Sequence, residues 1–457
     1  MGKATAEPSD SALRAIPAVE RILSGDALAP LVSTYGRARV KDALTSHLDD
    51  LRARRAAWNE GAAVMSVREA VSRATSSTLR RVVNASGVLI HTNLGRAPIS
   101  PAVWRRAEAV VAGYSNLEFD LEEGERGARD EHLASLCSTL FGCEAAILTN
   151  NNAAGTLLAL AAVAGARQGA LSAAKEVVVS RGELVEIGGA FRVPDIIQQG
   201  GAKLCEVGTT NRTRAADYAS AVTRRTAALL RVHRSNFDIV GFTETPSIAE
   251  LVAVARAKKL PLLYDEGSGR VVDLEPYGFT RGETLRELIA AGVDLVMCST
   301  DKLIGATQGG LILGRADLIA KCRRHPLLRA LRAGKESYAV IAETLRAFAT
   351  GTHERDIPIY TMLAARPDAL RARAEELVRG TGGRVVTSAC ALGGGTTPTE
   401  TIPSVAVEVP GNAAALQQRF LRNAPPIVGR IVDDRFLLDM RTLLPEDVPL
   451  VAHALRA

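Results

Sequence analysis

From Ala145 onward the chain alternates short apolar runs with longer stretches whose apolar residues recur every three or four positions. AAILT precedes a helical pattern beginning at Asn152. EVVVS, KLCEV and AALLRV follow; then IAELVAVARAKKL leads into PLLYDE, ETLRELIAAG leads into DLVMCS, and GGLILG closes the series. Brief apolar runs bounded by polar residues are strands buried on both faces, and the periodic stretches between them are helices. This alternation requires crossover connections, so it predicts an α/β fold: a mostly parallel sheet with helices on both faces. Ligands in such folds sit at the carboxyl ends of the strands. The polar residues that punctuate those ends are therefore the first candidates for chemistry.

The flanks carry other patterns. Residues 11 to 75 have helical spacing and no strand-like alternation, which predicts a small helical module over 1–75. NASGVLIHTNLGRAPIS, with Gly87, Asn93, Gly95 and Pro98, breaks that pattern and opens a main body over 76–350. Beyond it come a helix (DALRARAEELVRG), two strands (GRVVTSA, SVAVEV), a helix (NAAALQQRFLRNA), a hairpin (IVGRIVDDRFLLDM) and a last helix. They predict a small α+β domain over 351–457. GGGTTPTET reads as a short loop.

A chain of 457 residues exceeds one core, in keeping with several domains. The N-terminal stretch has acidic residues and no apolar segment, so no secretory signal is expected. The longest apolar run, TLLALAAVAGA, is shorter than the roughly 20 residues a bilayer span needs. A cytoplasmic protein with no membrane partner is the expectation. The six cysteines are scattered, with no CxxC and no histidine at ligand spacing, so they read as reduced, mostly buried thiols and no metal site is expected. The net charge of +6 permits a polyanionic partner without demanding one. Basic residues do cluster near the N-terminus, at Arg37, Arg39 and Lys41 and again at Arg52, Arg54 and Arg55. Asp42, Asp49 and Asp50 lie among them, so a solvated helix face and a polyanion handle both fit.

The chemistry concentrates at two strand ends. Asp265 closes the apolar run of PLLYDEGSG, and Lys302 lies in CSTDKLIGATQGG just after the next strand, among small residues. A lysine is costly to bury and normally keeps polar company. On successive strand ends, Asp265 and Lys302 can meet in one pocket. There the lysine would form a Schiff base with a pyridoxal cofactor, and the carboxylate would keep the pyridinium nitrogen protonated. Asn150, Asn151 and Asn152 precede a helix rich in small residues. They can present amides and the helix dipole to the cofactor phosphate, or serve simply as N-caps. His233, at the end of another strand in VHRSNF, can touch the cofactor or be a structural histidine. Arg126 and Arg129 in GERGARDEH read as an ion-pair loop bordering the site.

The wording of the motifs narrows this further. NASGVLIHTNLGRAPIS, YSNLEFDLEEGERGAR, TNNNAAG, VSRGELVEIGGAFRVPDI, EVGTTNRT, VHRSNF, DEGSG, STDKLIG and HPLLRALRAGK occur in this order. Together they closely resemble the bacterial selenocysteine synthases, the L-seryl-tRNA(Sec) selenium transferases, over nearly the whole chain. The resemblance implies a fold-type-I pyridoxal phosphate enzyme in which Lys302 is the aldimine lysine, Asp301 its catalytic neighbour, and Arg96, Arg329 and Arg332 bind anions. It also implies conversion of seryl-tRNA(Sec) to selenocysteinyl-tRNA(Sec), with selenophosphate as donor and an aminoacrylyl-tRNA intermediate. The helical N-terminal module would grip the tRNA through Arg37, Arg39, Lys41, Arg52, Arg54 and Arg55. A homo-oligomer is implied too, a decameric ring of dimers with active sites at subunit interfaces. Arg329 and Arg332, three apart, would share a face on a helix and clamp the donor. Without the family they would read as exposed helix charges. The chain departs from the family pattern at Thr300, at Ala306 and Thr307, and at Glu266. Two other readings remain: a fold-type-I lyase or transferase acting on a small amino acid or amino sugar, and a catalytically silent tRNA-binding assembly protein.

Overall fold

The computed structural model describes residues 16–165, 174–188, 191–397 and 399–456. Residues 1–15 of the helical module expected over 1–75 lie outside them. The chain forms two compact units, Met1–Arg81 and Val82–Ala457.

The first unit is helical, with α1 (Val19–Leu23), α2 (Ala29–Tyr35), α3 (Arg37–Ala53) and α4 (Glu60–Thr75). Val40, Leu44 and Leu48 of α3 and Ala63, Val67 and Val71 of α4 are buried at four-residue spacing, so each helix turns one stripe inward. Asn59 caps α4 by accepting from the Ala62 amide at 2.8 Å. The basic cluster is largely spoken for. Arg37 and Lys41 both pair with Glu20, Arg52 with Asp49 and Arg54 with Asp50. Among the described residues, only Arg39 and Arg55 of the six candidates keep unpaired side chains.

The second unit is built on a seven-stranded sheet: β1 (Ala145–Thr149), β2 (Glu176–Ser180), β3 (Lys203–Val207), β4 (Thr226–Val232), β5 (Leu262–Gly267), β6 (Leu295–Ser299) and β7 (Gly310–Gly314). Its order is β1-β7-β6-β5-β4-β2-β3, and only β7 runs antiparallel to its neighbours. The strand period separates two cores. Leu229, Tyr264 and Val296 enter one apolar cluster, while their neighbours Leu230, Leu263 and Met297 enter the other. Each central strand is thus covered on both faces, as the unbroken apolar runs required.

A four-stranded antiparallel sheet follows, with β8 (Arg384–Ala391), β9 (Thr401–Val409), β10 (Arg430–Val432) and β11 (Arg435–Asp439) in the order β8-β9-β11-β10. Asp433 and Asp434, both at positive φ, make the tight turn between β10 and β11. The segment Val83–Asn84 pairs in parallel with Ile427–Val428, which ties the start of this unit to its C-terminal layer. Of the six cysteines, five are buried and Cys205 is half-buried, all as free thiols. Among the described residues no helix is long and apolar enough to cross a membrane.

Gly310, the first residue of β7, allows the loop after β1 to approach. A Cβ there would lie 2.1 Å from the Asn151 carbonyl oxygen. Gly310→Ala should therefore destabilise the protein by about 1–3 kcal/mol through forced backbone displacement. A lower urea midpoint with an unchanged m-value is the expected reading, and an unshifted midpoint would refute the packing argument.

Candidate active site

Asp265, Lys302 and the loop after β1 converge at the carboxyl edge of the sheet. Asp265, at the end of β5, is 6 % exposed. Its two oxygens accept from the Asn152 side-chain amide at 2.8 Å and the Thr156 hydroxyl at 3.0 Å. Asn152 and Thr156 are four apart on α5 (Asn152–Ala164), so one helix face presents both donors. Burial pushes the Asp265 carboxyl above the ordinary carboxylate range, and the two donors and Lys302 pull against that rise. Asn151 caps α5 by accepting from the Ala154 amide at 2.8 Å, so its side chain takes the structural role. Asn152 likewise spends its amide on Asp265. What is left for an anion at this helix start is backbone N–H, which the first turn of any helix leaves without intrahelical acceptors.

Lys302 sits in a tight loop between β6 and β7. The Ala306 amide donates to the Thr300 carbonyl at 2.9 Å, the Gly305 amide to the Lys302 carbonyl at 3.0 Å, and the Leu303 amide to the Ser268 carbonyl at 3.0 Å. The departures from the family pattern fit into this loop. The Thr300 hydroxyl donates to the Thr307 carbonyl at 2.6 Å, bracing the turn with a bond that glycine could not make. Glu266 turns away from Asp265 to accept from the Ser268 hydroxyl and from the Gly269 amide, the latter at 2.6 Å. It holds the DEGSG turn against which the lysine loop rests.

Lys302 is 7 % exposed. Burial, followed by the nearby Arg96 guanidinium, holds its ammonium below the ordinary lysine value; Glu266, Asp265 and Asp301 act in the opposite sense. A desolvated amine of this kind is a poised nucleophile. Asp301 binds Arg96 at 2.5 Å, and its second oxygen is buried without a partner. Arg96 itself has φ of +66°, a conformation that non-glycine residues adopt only when the surroundings impose it. Arg96, Asn151, Asn152, His233, Asp265, Asp301 and Lys302 line one cavity of about 260 Å³.

The sequence left two contributors unmarked. Ser235, 4 % exposed, lines the cavity with an unpartnered hydroxyl oxygen. The GGGTT loop, read from sequence as a plain connection, forms a wall. Gly393, Gly394 and Gly395 all have positive φ, and a Cβ on Gly395 would lie 3.6 Å from the Lys302 Nζ. His233 is tied to this wall, its Nε2 lying 2.8 Å from the Thr396 carbonyl oxygen. Three consecutive glycines in positive φ were the available signal.

Arg329 and Arg332 do not share a helical face. The helix there ends at Leu331, and Arg332 is extended beyond it because residues 331–332 bond to the chain at Thr149 and Asn150. Arg332 pairs with Glu118 at 2.9 Å, a carboxylate that also receives Arg129 and Arg126. The GERGARDEH loop is thus an ion-pair hub, with Arg323 on Asp130 as a further link. Arg329 is exposed, and neither it nor Arg332 lines the 260 Å³ cavity.

Residues 82–444 match the model of the L-seryl-tRNA selenium transferases, and residues 13–52 match that of the selenocysteine synthase N-terminal region. The chain belongs to the L-seryl-tRNA selenium transferase family. It is 45 % identical to an L-seryl-tRNA(Sec) selenium transferase of Geobacter sulfurreducens, covering 96 % of this chain and 98 % of the relative. A Moorella thermoacetica relative of the same name is 42 % identical over 98 % of this chain and 97 % of its own. Among solved structures, a D-glucosaminate-6-phosphate ammonia-lyase superposes with a TM-score of 0.62 at 25 % identity, covering 83 % of this chain and 95 % of its own. The fold is that of the fold-type-I pyridoxal phosphate enzymes, and the family's cofactor is pyridoxal phosphate.

The residues present fit that cofactor. Ser235 Oγ, Asp301 Oδ1 and Asn152 Oδ1 are buried polar atoms without partners around one cavity, beside a desolvated amine and a buried carboxylate. Unpaired buried polar atoms are costly unless a ligand satisfies them.

Two outcomes follow from this geometry. Replacing Asn152 by Leu and Thr156 by Val removes both donors to Asp265, so its carboxyl should rise further and cofactor binding should weaken by roughly tenfold or more, since each bond to a charged group contributes about 1.5–3 kcal/mol. Titration of the cofactor absorbance measures this, and unchanged affinity would contradict it. Second, the folded protein holds the Lys302 proton less tightly than the unfolded chain does. Between its lowered value and the unfolded value of about 10.4, the unfolded state binds more protons, so this group's contribution to stability rises with pH. In cofactor-free protein, the stability of wild type relative to Lys302→Met should therefore increase as pH climbs from 7 toward 10. A flat or falling difference would show that the amine is not desolvated.

Proposed function

We propose that this chain converts the seryl group carried by tRNA(Sec) to a selenocysteinyl group, with selenophosphate as the selenium donor. One observation carries the reading: a buried lysine and a buried, hydrogen-bonded aspartate share one cavity in a chain that matches the L-seryl-tRNA selenium transferases almost end to end. When bound, pyridoxal phosphate supplies the electron sink for the carbanion formed at the seryl α-carbon.

The chain's own residues do the rest. Lys302 would hold the cofactor, Asp265 would keep its ring nitrogen protonated, and the first-turn amides of α5 would face its phosphate. Lys302 then takes the α-proton and the β-hydroxyl leaves as water; the α-carbon regains a proton from Lys302 as the selenium of selenophosphate adds at the β-carbon, and water cleaves the P–Se bond to release phosphate. Asp301, fixed by Arg96, orients charge beside Lys302. The donor anion would lie near Arg96, which holds Asp301 and is the one cavity-lining arginine of the three expected. Arg332 joins it only by exchanging Glu118 for the anion, with Arg329 free beside it. The helical unit is the tRNA handle. Arg39 and Arg55 are available for phosphates, as are Arg68 and Arg73 of α4, which line a shallow depression with Glu69, Ser72 and Ser76. Exposed Tyr114 and Leu121, in the segment around Glu118, support assembly into a homo-oligomer.

The likeness to an ammonia-lyase keeps a small-substrate reading in view, and that reading requires turnover without tRNA. Purified holoprotein should form selenocysteinyl-tRNA from seryl-tRNA(Sec) and selenophosphate, and should leave an unrelated seryl-tRNA unchanged. Arg96→Ala should lower selenium incorporation by at least tenfold while tRNA affinity holds. Equal conversion of both tRNAs, or turnover of free serine alone, would defeat the proposal.

A further inference from the structure

A large cleft lies away from the chemistry. It has a volume of about 830 Å³ and runs along the opposite edge of the main sheet, where the parallel strands begin. Glu144, Gly314, Asp294, Pro261, Thr226 and Lys175 place one residue at or beside the ends of β1, β7, β6, β5, β4 and β2, which are consecutive neighbours. Five strand gaps of about 4.8 Å make the groove roughly 24 Å long. A strand of six residues separates it from the Lys302 edge by about 20 Å. It is therefore long and distinct from the catalytic cavity.

Its charges are unevenly committed. The acidic groups are all used within the fold: Asp294 accepts from the Leu262 amide and Arg315, Asp317 also holds Arg315, and Glu144 accepts from the Ala316 amide. Four cations are uncommitted. Among the described residues, the side chains of Lys175, Arg256, Lys259 and Lys321 have neither an ion pair nor a hydrogen bond. They are distributed along the groove, from the start of β2 past the α6 (Ile248–Lys258) to β5 connection to the helix after β7. The floor between them is apolar, formed by Val252, Val293 and Leu318.

We infer that this groove is a second RNA contact, taking the phosphodiester backbone of one tRNA strand. A line of separated cations suits a repeating anion better than a single phosphate, and an apolar floor suits sugar and base faces better than a carboxylate-bearing peptide. The inference rests on the reading of tRNA as substrate, and it adds a contact outside both the helical unit and the catalytic pocket.

The test compares full-length wild type with a Lys175→Gln, Arg256→Gln, Lys259→Gln, Lys321→Gln variant. A control carries Arg366→Gln, Arg371→Gln, Arg379→Gln and Arg422→Gln, four exposed arginines elsewhere that alter net charge equally. Affinity for unacylated tRNA is measured by anisotropy across a salt series, with circular dichroism and cofactor absorbance confirming that each variant is folded and loaded. Loss of four phosphate contacts should flatten the slope of log K against log salt by about 3 and weaken binding at least tenfold near 0.15 M salt. The control should leave the slope unchanged. An unaltered slope in the groove variant, or an equal loss in the control, overturns the inference. So does binding of polyglutamate that depends on the groove to the same extent as tRNA. If wild type fails to convert seryl-tRNA(Sec) while the groove variant still loses tRNA affinity, the proposed function fails and the groove assignment stands.

Discussion

Burial of the Lys302 amine beside the Asp265 carboxyl is the constraint around which the second unit is arranged. Neither group is tolerable alone in a low-dielectric interior, and each lowers the cost of the other only while held in place. The holding is done by distant parts of the chain. Asn152 and Thr156 reach Asp265 from a helix more than a hundred residues earlier, and Gly310 gives the loop before that helix room to approach. Arg96, fixed in a left-handed conformation, neutralises Asp301 and bears on Lys302 from the other side. The site therefore depends on the doubly covered sheet keeping four strand ends in register.

The same arrangement explains how the chain absorbs its departures from the family pattern. Thr300 is one of the departing positions, and its hydroxyl finds the carbonyl of Thr307, which is another. Glu266 puts a further carboxylate near two charged groups, yet its oxygens are occupied by Ser268 and Gly269. In both cases the new polar group is satisfied within the loop that it changes. Buried polar groups survive under that condition.

The two edges of the main sheet hold their charges differently. At the carboxyl edge, strand ends and helix starts converge on a small, desolvated cavity where charges are paired or poised. At the opposite edge, a larger groove keeps its cations in water. Desolvation makes the first edge reactive; at the second, among the described residues, the lining carboxylates are taken by Arg315 and backbone amides and leave four cations unpaired.

The strands, their alternation with helices and the meeting of Asp265 and Lys302 in one cavity were legible in the sequence, because a strand buried on both faces must be apolar throughout and a polar residue at its end stands out. The ordered motifs also identified the family. Other features were decided only by tertiary structure. Asn151 and Asn152 proved to be a helix cap and a carboxylate holder, since the partner of an amide depends on residues remote in sequence. Arg329 and Arg332 left their expected helical face because bonds from Thr149 and Asn150 draw the chain into extended form. The N-terminal cations appeared as a cluster, but folding brought Glu20 onto two of them. Ser235 and the three glycines near Lys302 carried no local periodicity, and became part of the site only when the C-terminal layer was brought against the sheet. Local pattern determines which elements form, because it records burial; long-range contact determines what each polar side chain does, because a hydrogen bond or ion pair needs a partner that the pattern does not name.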